Sequence, residues 1–327
     1  MPVKCLIPAA GKGTRMRPLT HTLPKAMLPV AGKPTIFHII DRAHKAGVTD
    51  FVIITGYLCE LMESEILEAY PHLNIEFVEQ KEQLGLGHAI YTAKEKFLNK
   101  GESSPLSLFL IYGDTLFEGD IETMMQSKEP VIGVYEVEDP RRFGVIEKGE
   151  GQQIKSLVEK PEKFVSNLAI PGVNFFPDAA KLFSALEYII TNDIRTKNEY
   201  QATDAFQYML QTQQIPFVWQ RLTAWDDAGT LDAILETNKI ILSHNGKGKE
   251  FAVAQDAKII DSDISQFTSV SAGAVVEKST LVNCIVDRGS IIKNCKLENS
   301  LIGRNAVLEN VAGVVVVGDD TQLHLKR

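Results

Sequence analysis

No apolar stretch of this 327-residue chain is long enough to cross a bilayer, which removes the helical membrane proteins from consideration. A basic excess is missing too. The formal net charge is −8, so general nucleic-acid or anionic-membrane binding lacks the positive face it needs. Cysteine is scarce: Cys5, Cys59, Cys284 and Cys295 form no CxxC pair and have no histidines at zinc spacing, so core thiols are expected. The N-terminus enters its first strand directly, without a signal sequence, and the expected address is cytoplasmic. Two familiar phosphate loops are absent as well. A dinucleotide fingerprint needs a third glycine where Met16 stands, and a P-loop ends in Gly-Lys-Ser/Thr where this chain has Gly32-Lys33-Pro34.

What remains is an ordinary globular composition, 44% hydrophobic and 23% charged, at a length that suits one large core plus a smaller module or two domains. Given the net charge, an anionic ligand must be met by a local cation cluster, and the first thirty residues offer one. Val3–Ala9 is an apolar, β-branched run that reads as a buried strand. It breaks into Ala9-Ala10-Gly11-Lys12-Gly13, followed by Arg15, Arg17 and Lys25. Small residues let a ligand approach the backbone, bare N–H groups form an anion-binding concavity, and the cations suit a polyphosphate.

Further along, Lys33–Ala46 carries Ile36, Ile39, Ile40 and Ala43 at helical period, with Pro34 at its start and Gly47 past its end. Asp50–Thr55, Ile75–Val78 and Leu106–Tyr112 read as buried strands, Leu58–Tyr70 as a helix, and Gly85-Leu-Gly-His-Ala opens a helix to Phe97. Strands alternating with helices predict a mostly parallel sheet with ligands beyond its carboxyl ends. From Pro130 the closely spaced strands Val131–Glu136, Gly144–Glu147 and Ile154–Glu159 predict an inserted antiparallel portion. Helices over Pro177–Ile190 and Gln201–Gln213 follow, then a strand at Phe217–Arg221, a polar loop at Trp225–Thr230 and a helix to Leu242.

The Gly/Lys stretch His244–Glu250 is the expected linker, dividing residues 1–245 from 251–327. Beyond it Ile264, Val270, Val276 and Val282 recur every six residues, a step resumed at Val286 and Ile292 and again at Ile302 and Leu308. A six-residue repeat is the signature of a β-helix; a β-meander would alternate at two.

Asp114 follows a buried strand directly, and Asp226 and Asp227 lie between a strand and a helix. Carboxylates from distant strand ends could share Mg²⁺, which prefers oxygen ligands; singly, each is more often a turn residue or helix cap. Glu159-Lys160-Pro161 offers a point charge for a phosphate and an acceptor for sugar hydroxyls, or else a surface ion pair. Glu199-Tyr-Gln-Ala-Thr-Asp204, preceded by Lys197, reads as a helix start. Gln80, with a donor and an acceptor, fits the edge of a base, and Gly85 lets that base approach the backbone.

Taken together and in order, these motifs resemble the sugar-1-phosphate nucleotidyltransferases (nucleotide-sugar pyrophosphorylases). The residues are Ala9-Ala-Gly-Lys-Gly-Thr-Arg15, Pro24-Lys25, Gln80 with Gly85-Leu-Gly-His-Ala, Tyr112-Gly-Asp114 and Phe143-Gly144. Glu159-Lys160-Pro161, Glu199–Asp204 and Trp225-Asp-Asp227-Ala-Gly-Thr230 complete the set. The resemblance implies an α/β, Rossmann-like mixed, mostly parallel sheet, and the repeat is similar to the left-handed β-helix that many members carry. It implies in-line attack of a sugar 1-phosphate on an NTP, with Mg²⁺ as cofactor and pyrophosphate as leaving group.

By resemblance Ala9, Ala10, Gly11, Gly13, Thr14, Gln80 and Gly85 hold the nucleotide, and Arg15, Lys25 and Lys160 are catalytic. Gly144, Glu159, Gly172, Asn174 and Lys197 line the sugar-phosphate pocket together with Lys160, and Asp114 and Asp227 ligate the metal. The Ala9-Ala10 pair with Gln80 and Gly85-Leu-Gly-His-Ala is closer to uridylyltransferases than to guanylyl or adenylyl ones. UTP is therefore placed ahead of dTTP, with glucose 1-phosphate as the leading sugar and N-acetylglucosamine 1-phosphate behind it. Lys197 stands where arginine is frequent, and Phe143 and Asn174 where tyrosines occur in some thymidylyl members. The rival expectations are a catalytically silent nucleotide-sugar-binding or assembly subunit, a guanylyl or N-acetylglucosamine-1-phosphate-type pyrophosphorylase, and an acyltransferase in the repeat, for which only His324 is on hand. No nucleic acid or membrane partner is expected; a homo-oligomer is, with the repeat providing oligomer contacts or regulation.

Overall fold

The computed structural model describes residues 2–98, 105–227, 229–244 and 250–326, so the expected linker lies largely outside the described residues. Two compact units emerge: Met1–Gly11 with Ile39–Trp225, and Lys12–His38 with Asp226–Arg327. No described helix is long and apolar enough to cross a membrane.

The first unit is built on a ten-stranded sheet. Its strands are β1 Val3–Pro8, β2 Asp50–Thr55, β3 Asn74–Glu79, β4 Ser107–Ile111 and β5 Val131–Glu136. They continue with β6 Gly144–Lys148, β7 Ile154–Glu159, β8 Leu168–Ala169, β9 Val173–Phe176 and β10 Val218–Arg221. The order is β7-β6-β8-β5-β9-β4-β1-β2-β3, with β10 on β5. β1 sits between β2 and β4, parallel to both, so Cys5 faces Phe51 on one side and Phe109 on the other, all fully buried. Runs such as Phe-Val-Ile-Ile suit a strand covered on both faces.

The antiparallel strands are not a separate insert, as their spacing predicts, but a continuation of the same sheet. The four buried residues of β9, Val-Asn-Phe-Phe, pair antiparallel with β4 on one edge and β5 on the other, joining the two halves. β8 and β9 are too short to register as periodic runs. Helices α1 Cys59–Ala69, α2 Leu86–Thr92, α3 Ala179–Thr191 and α4 Ala202–Gln211 accompany the sheet. α2 stops at Thr92 and gives way to a turn at Lys94–Lys96, short of the expected Phe97. Asp178 caps α3 by accepting from the Ala180 N–H at 3.1 Å. Phe176 of β9 meets Phe206 of α4 with ring centroids 5.1 Å apart, in a core shared with Phe183 and Phe217. Each such buried ring is worth about 1.5–3 kcal/mol of transfer free energy.

In the second unit a helix, Leu231–His244, precedes a stack of short strands that pair in parallel. Val276 lies opposite Ile292 and Ile292 opposite Leu308, a step of 16 residues in the numbering. One row of buried aliphatics runs through Val270, Val276, Leu281, Val286, Ile292, Leu297, Ile302 and Leu308, spaced six, five and five rather than a uniform six. This corrects the sequence reading at Val282, which is 37% exposed while Leu281 is fully buried. Left-handed corners punctuate steps of both lengths. Asn283, Asn294, Asn299, Asn305 and Asn310 all take positive φ, a conformation asparagine tolerates better than most residues. Asn283 also donates from Nδ2 to Oδ1 of Asn299 at 2.7 Å, linking one corner to the next.

Candidate active site

Because β1, β2 and β4 are parallel, their carboxyl ends open on one edge. There Ala9 N–H donates to the Ile54 carbonyl at 2.8 Å, and Gly113 N–H to the Pro8 carbonyl at 3.0 Å. A Cβ on Gly113 would lie 2.9 Å from that of Ala9, and one on Gly56 3.0 Å from that of Ala10. The alanine pair is thus small because neighbouring strand ends close on it. Gly11, next in line, is exposed, with open space where a Cβ would point. Asp114, half-buried, follows Gly113 at the same edge.

Tyr112 N–H donates to the Gly172 carbonyl at 3.0 Å. Gly172 has φ +94°, and any Cβ there would overlap the Tyr112 ring, so glycine is required twice over. Burial, reinforced by the carboxylates of Glu159 and Asp114, pushes the Tyr112 phenol up and keeps it neutral.

Beyond β3, Gln80 is buried and donates from Nε2 to the Gly85 carbonyl at 3.2 Å, with His88 Nδ1 at 3.3 Å. Gly85 begins α2 at φ +109°, and a Cβ would lie 2.7 Å from the Tyr200 carbonyl oxygen. Gly87 N–H donates to that same carbonyl at 2.7 Å, fixing the loop against the segment that leads into α4.

A second group gathers where β7 ends. Glu159 pairs with Gly144 across the ladder, and Thr203 in the first turn of α4 donates to Glu159 Oε2 at 2.8 Å. Lys160 Nζ stands 3.3 Å from Glu159 Oε1, and its backbone N–H donates to the Phe143 carbonyl at 3.0 Å. A Cβ on Gly144 would lie 2.8 Å from both Glu159 Oε2 and Thr203 Oγ1, so the missing side chain is what lets these groups meet. Burial raises the Asp204 carboxyl, helped by Glu159 and opposed by Lys160 and a Thr196 hydrogen bond, and its Oδ2 has no partner among the described residues. Asn174 on β9 is fully buried with both amide atoms unpaired among the described residues, a demand of about 1–3 kcal/mol that a polar ligand can meet.

A model of the nucleotidyl transferase family matches residues 4–244. The chain belongs to that family. A UTP–glucose-1-phosphate uridylyltransferase of Staphylococcus epidermidis is 36% identical over 249 residues, 65% of this chain and 83% of that protein. The bifunctional protein GlmU of Methanocaldococcus jannaschii is 34% identical over 263 residues, which cover 78% of this chain and 60% of that one. Among solved structures, a UDP-glucose pyrophosphorylase complexed with UDP-glucose is similar with a TM-score of 0.61 at 27% identity, over 74% of this chain and 99% of that one.

In this nucleotidyltransferase the glycine loop of the second unit is ordered by its own contacts. Gly13 sits at φ +60° against Lys25 and Thr20, and Thr20 Oγ1 donates to its carbonyl at 2.7 Å. Thr14–Met16 form a single helical turn that presents Arg15 to solvent. Asp227 belongs to a strand, Ala224–Asp227, and not to the polar loop its sequence predicts. The Trp-Asp-Asp run is apolar only at Trp225, which meets Phe143 edge-on at 4.9 Å, and so gives no strand signal. The Asp227 side chain lies outside the described residues, and these hold no cluster of three His, Cys, Asp or Glu suited to a metal. Lys197 is exposed in a left-handed turn and pairs with Glu162 at 3.1 Å. His88 and Thr203 carry no role in the sequence reading. A hydroxyl one residue before the Asp of a helix start was the only available sign of Thr203.

Proposed function

We propose that this nucleotidyltransferase moves the nucleotidyl group of UTP or dTTP onto glucose 1-phosphate, releasing pyrophosphate and forming a nucleotide sugar. The observation that carries the reading is the shared carboxyl edge of β1, β2 and β4, where Ala9, Ala10, Gly113 and Asp114 meet, as expected for ligands of such sheets. The similarity to a uridylyltransferase and to a UDP-glucose pyrophosphorylase supports the substrate pair.

A sugar-phosphate oxygen attacks the α-phosphorus, the bond to the β-phosphate breaks, and pyrophosphate leaves; no protein nucleophile is required, so positioning and charge neutralisation dominate. Ala9, Ala10, Gly11, Gly13 and Thr14 present backbone to the nucleotide, and Gln80 with Gly85 meets the base. Arg15 neutralises the leaving pyrophosphate, Lys25 the reacting phosphates, and Lys160 orients the sugar phosphate. Glu159, Gly144, Gly172 and Asn174 line the sugar pocket, with Lys197 near its rim. Asp114 and Asp227 would hold Mg²⁺, whose hard charge offsets that of the triphosphate; carboxylate oxygens are the donors it prefers, and one or two suffice beside phosphate and water.

Residues 1–245 are the catalytic domain and 251–327 a left-handed β-helix that serves assembly of a homo-oligomer in the cytoplasm. In-register parallel stacking and left-handed corners support the β-helix, and the family match at 4–244 supports the division.

Pyrophosphate release from purified protein with Mg²⁺ and a panel of nucleoside triphosphates and sugar 1-phosphates tests the reading. The fastest release is expected from UTP or dTTP with glucose 1-phosphate. Silence with every pair would overturn it.

A further inference from the structure

Gln80 has one carbonyl and one amino group to give, and it is 5% exposed. Its Nε2 faces the Gly85 carbonyl at 3.2 Å. A carbonyl only accepts, so the amino group, and not Oε1, must lie on that side. The acceptor itself is held, since Gly87 N–H ties the same loop to the Tyr200 carbonyl at 2.7 Å. The second amino hydrogen points to His88 Nδ1 at 3.3 Å. That nitrogen has to offer a lone pair, which requires a neutral ring with its proton on the other nitrogen. Burial holds the ring so: it disfavours the charged imidazolium and outweighs the charge and backbone hydrogen bond of Glu82, which favour it.

We propose that His88 is a specificity-determining residue: by accepting from Gln80 Nε2 it fixes the amide so that only Oε1 is left for the base. The site thereby selects nucleoside triphosphates whose base presents a ring N–H. This rests on the nucleotide site proposed above. Uracil and thymine donate from N3–H to an oxygen so placed. Cytosine N3 and adenine N1 bring a lone pair instead, and two acceptors then face each other in a buried place. Turning the amide over would rescue those bases only by setting Oε1 against the Gly85 carbonyl and abandoning both internal hydrogen bonds. Discrimination therefore comes from what the protein does to its own glutamine, one step removed from the base.

The test compares wild type, His88→Ala and His88→Asn. Binding of UTP and of CTP is measured by calorimetry, and kcat/KM is measured for the same nucleotides with glucose 1-phosphate. In His88→Ala the amide loses its second partner, and the preference for UTP over CTP should fall by about tenfold, while the KM for glucose 1-phosphate stays put. Asparagine sets Oδ1 close to where Nδ1 stands, so His88→Asn should keep the wild-type preference to within about threefold. A His88→Ala protein with undiminished preference overturns the inference, and so does equal loss of UTP and CTP binding. Selective binding in a wild type that turns over no sugar phosphate would refute the activity alone, and the calorimetric comparison would still decide the role of His88.

Discussion

The hydroxyl of Thr203 donates to Glu159 at 2.8 Å, on the oxygen opposite the one that Lys160 meets at 3.3 Å. One carboxylate, at the end of a strand, is thus aimed by a helix start and charged against its own neighbour. Because Glu159 is only 9% exposed, this aim is set by the protein and not by solvent. If Glu159 and Lys160 receive the sugar phosphate, Thr203 governs how well it is received.

Thr203→Val keeps the shape and removes the donor. A hydrogen bond to a charged group contributes about 1.5–3 kcal/mol, so the KM for glucose 1-phosphate should rise at least tenfold with the KM for UTP unchanged. Steady-state kinetics on both substrates decides it. A change confined to UTP would contradict the assignment of this pocket to the sugar.

Asp204 is the counterpart that the fold keeps at a disadvantage. Burial raises its pKa above the ordinary 3.8 in the folded state, so the native protein holds its proton more tightly than the unfolded chain. Stability from this group is therefore full below pH 3.8 and lost as pH rises through the folded value. Asp204→Asn, neutral throughout, should be more resistant to urea than wild type at neutral pH, with the advantage shrinking as the medium is acidified. Equal midpoints at neutral pH would show that the carboxylate is not strained.

The spacing of the parallel strands makes a sharper statement than the repeat did. Leu281→Ala should cost about 2–5 kcal/mol, as for a large core side chain, whereas Val282→Ala should stay within about 0.5 kcal/mol. Denaturant unfolding at constant slope measures both. The reverse order would restore the uniform six-residue register.

How much of this was legible follows from where each signal is carried. The parallel half was readable because Leu6, Val52 and Leu110 stand in long apolar runs that only a strand buried on both faces explains. β9 was not, because four residues cannot display a period, and its role as the bridge between halves depends on pairing with β4 and β5. Asp227 was misplaced because a strand of Ala-Trp-Asp-Asp lacks the alternation that marks one. The sequence cannot separate Val282 from Leu281 because both are aliphatic, and only the folded coil shows that Leu281 is the one turned inward. At the site, Gln80, Gly85, Gly144, Glu159 and Lys160 could be picked out by chemistry and order. The geometry of Gln80 against His88, and of Glu159 against Thr203, joins residues that no spacing rule connects.

The most direct measurement of the central claim follows the oxygen that makes the new bond. Glucose 1-phosphate carrying isotopically heavy oxygen throughout its phosphoryl group is incubated with UTP, Mg²⁺ and the purified protein, and both products are analysed by mass spectrometry. Attack by the sugar phosphate on the α-phosphorus predicts that the nucleotide sugar retains every heavy oxygen, including the one bridging its two phosphorus atoms, and that pyrophosphate carries none. Heavy oxygen in pyrophosphate, or no nucleotide sugar at all, would contradict it.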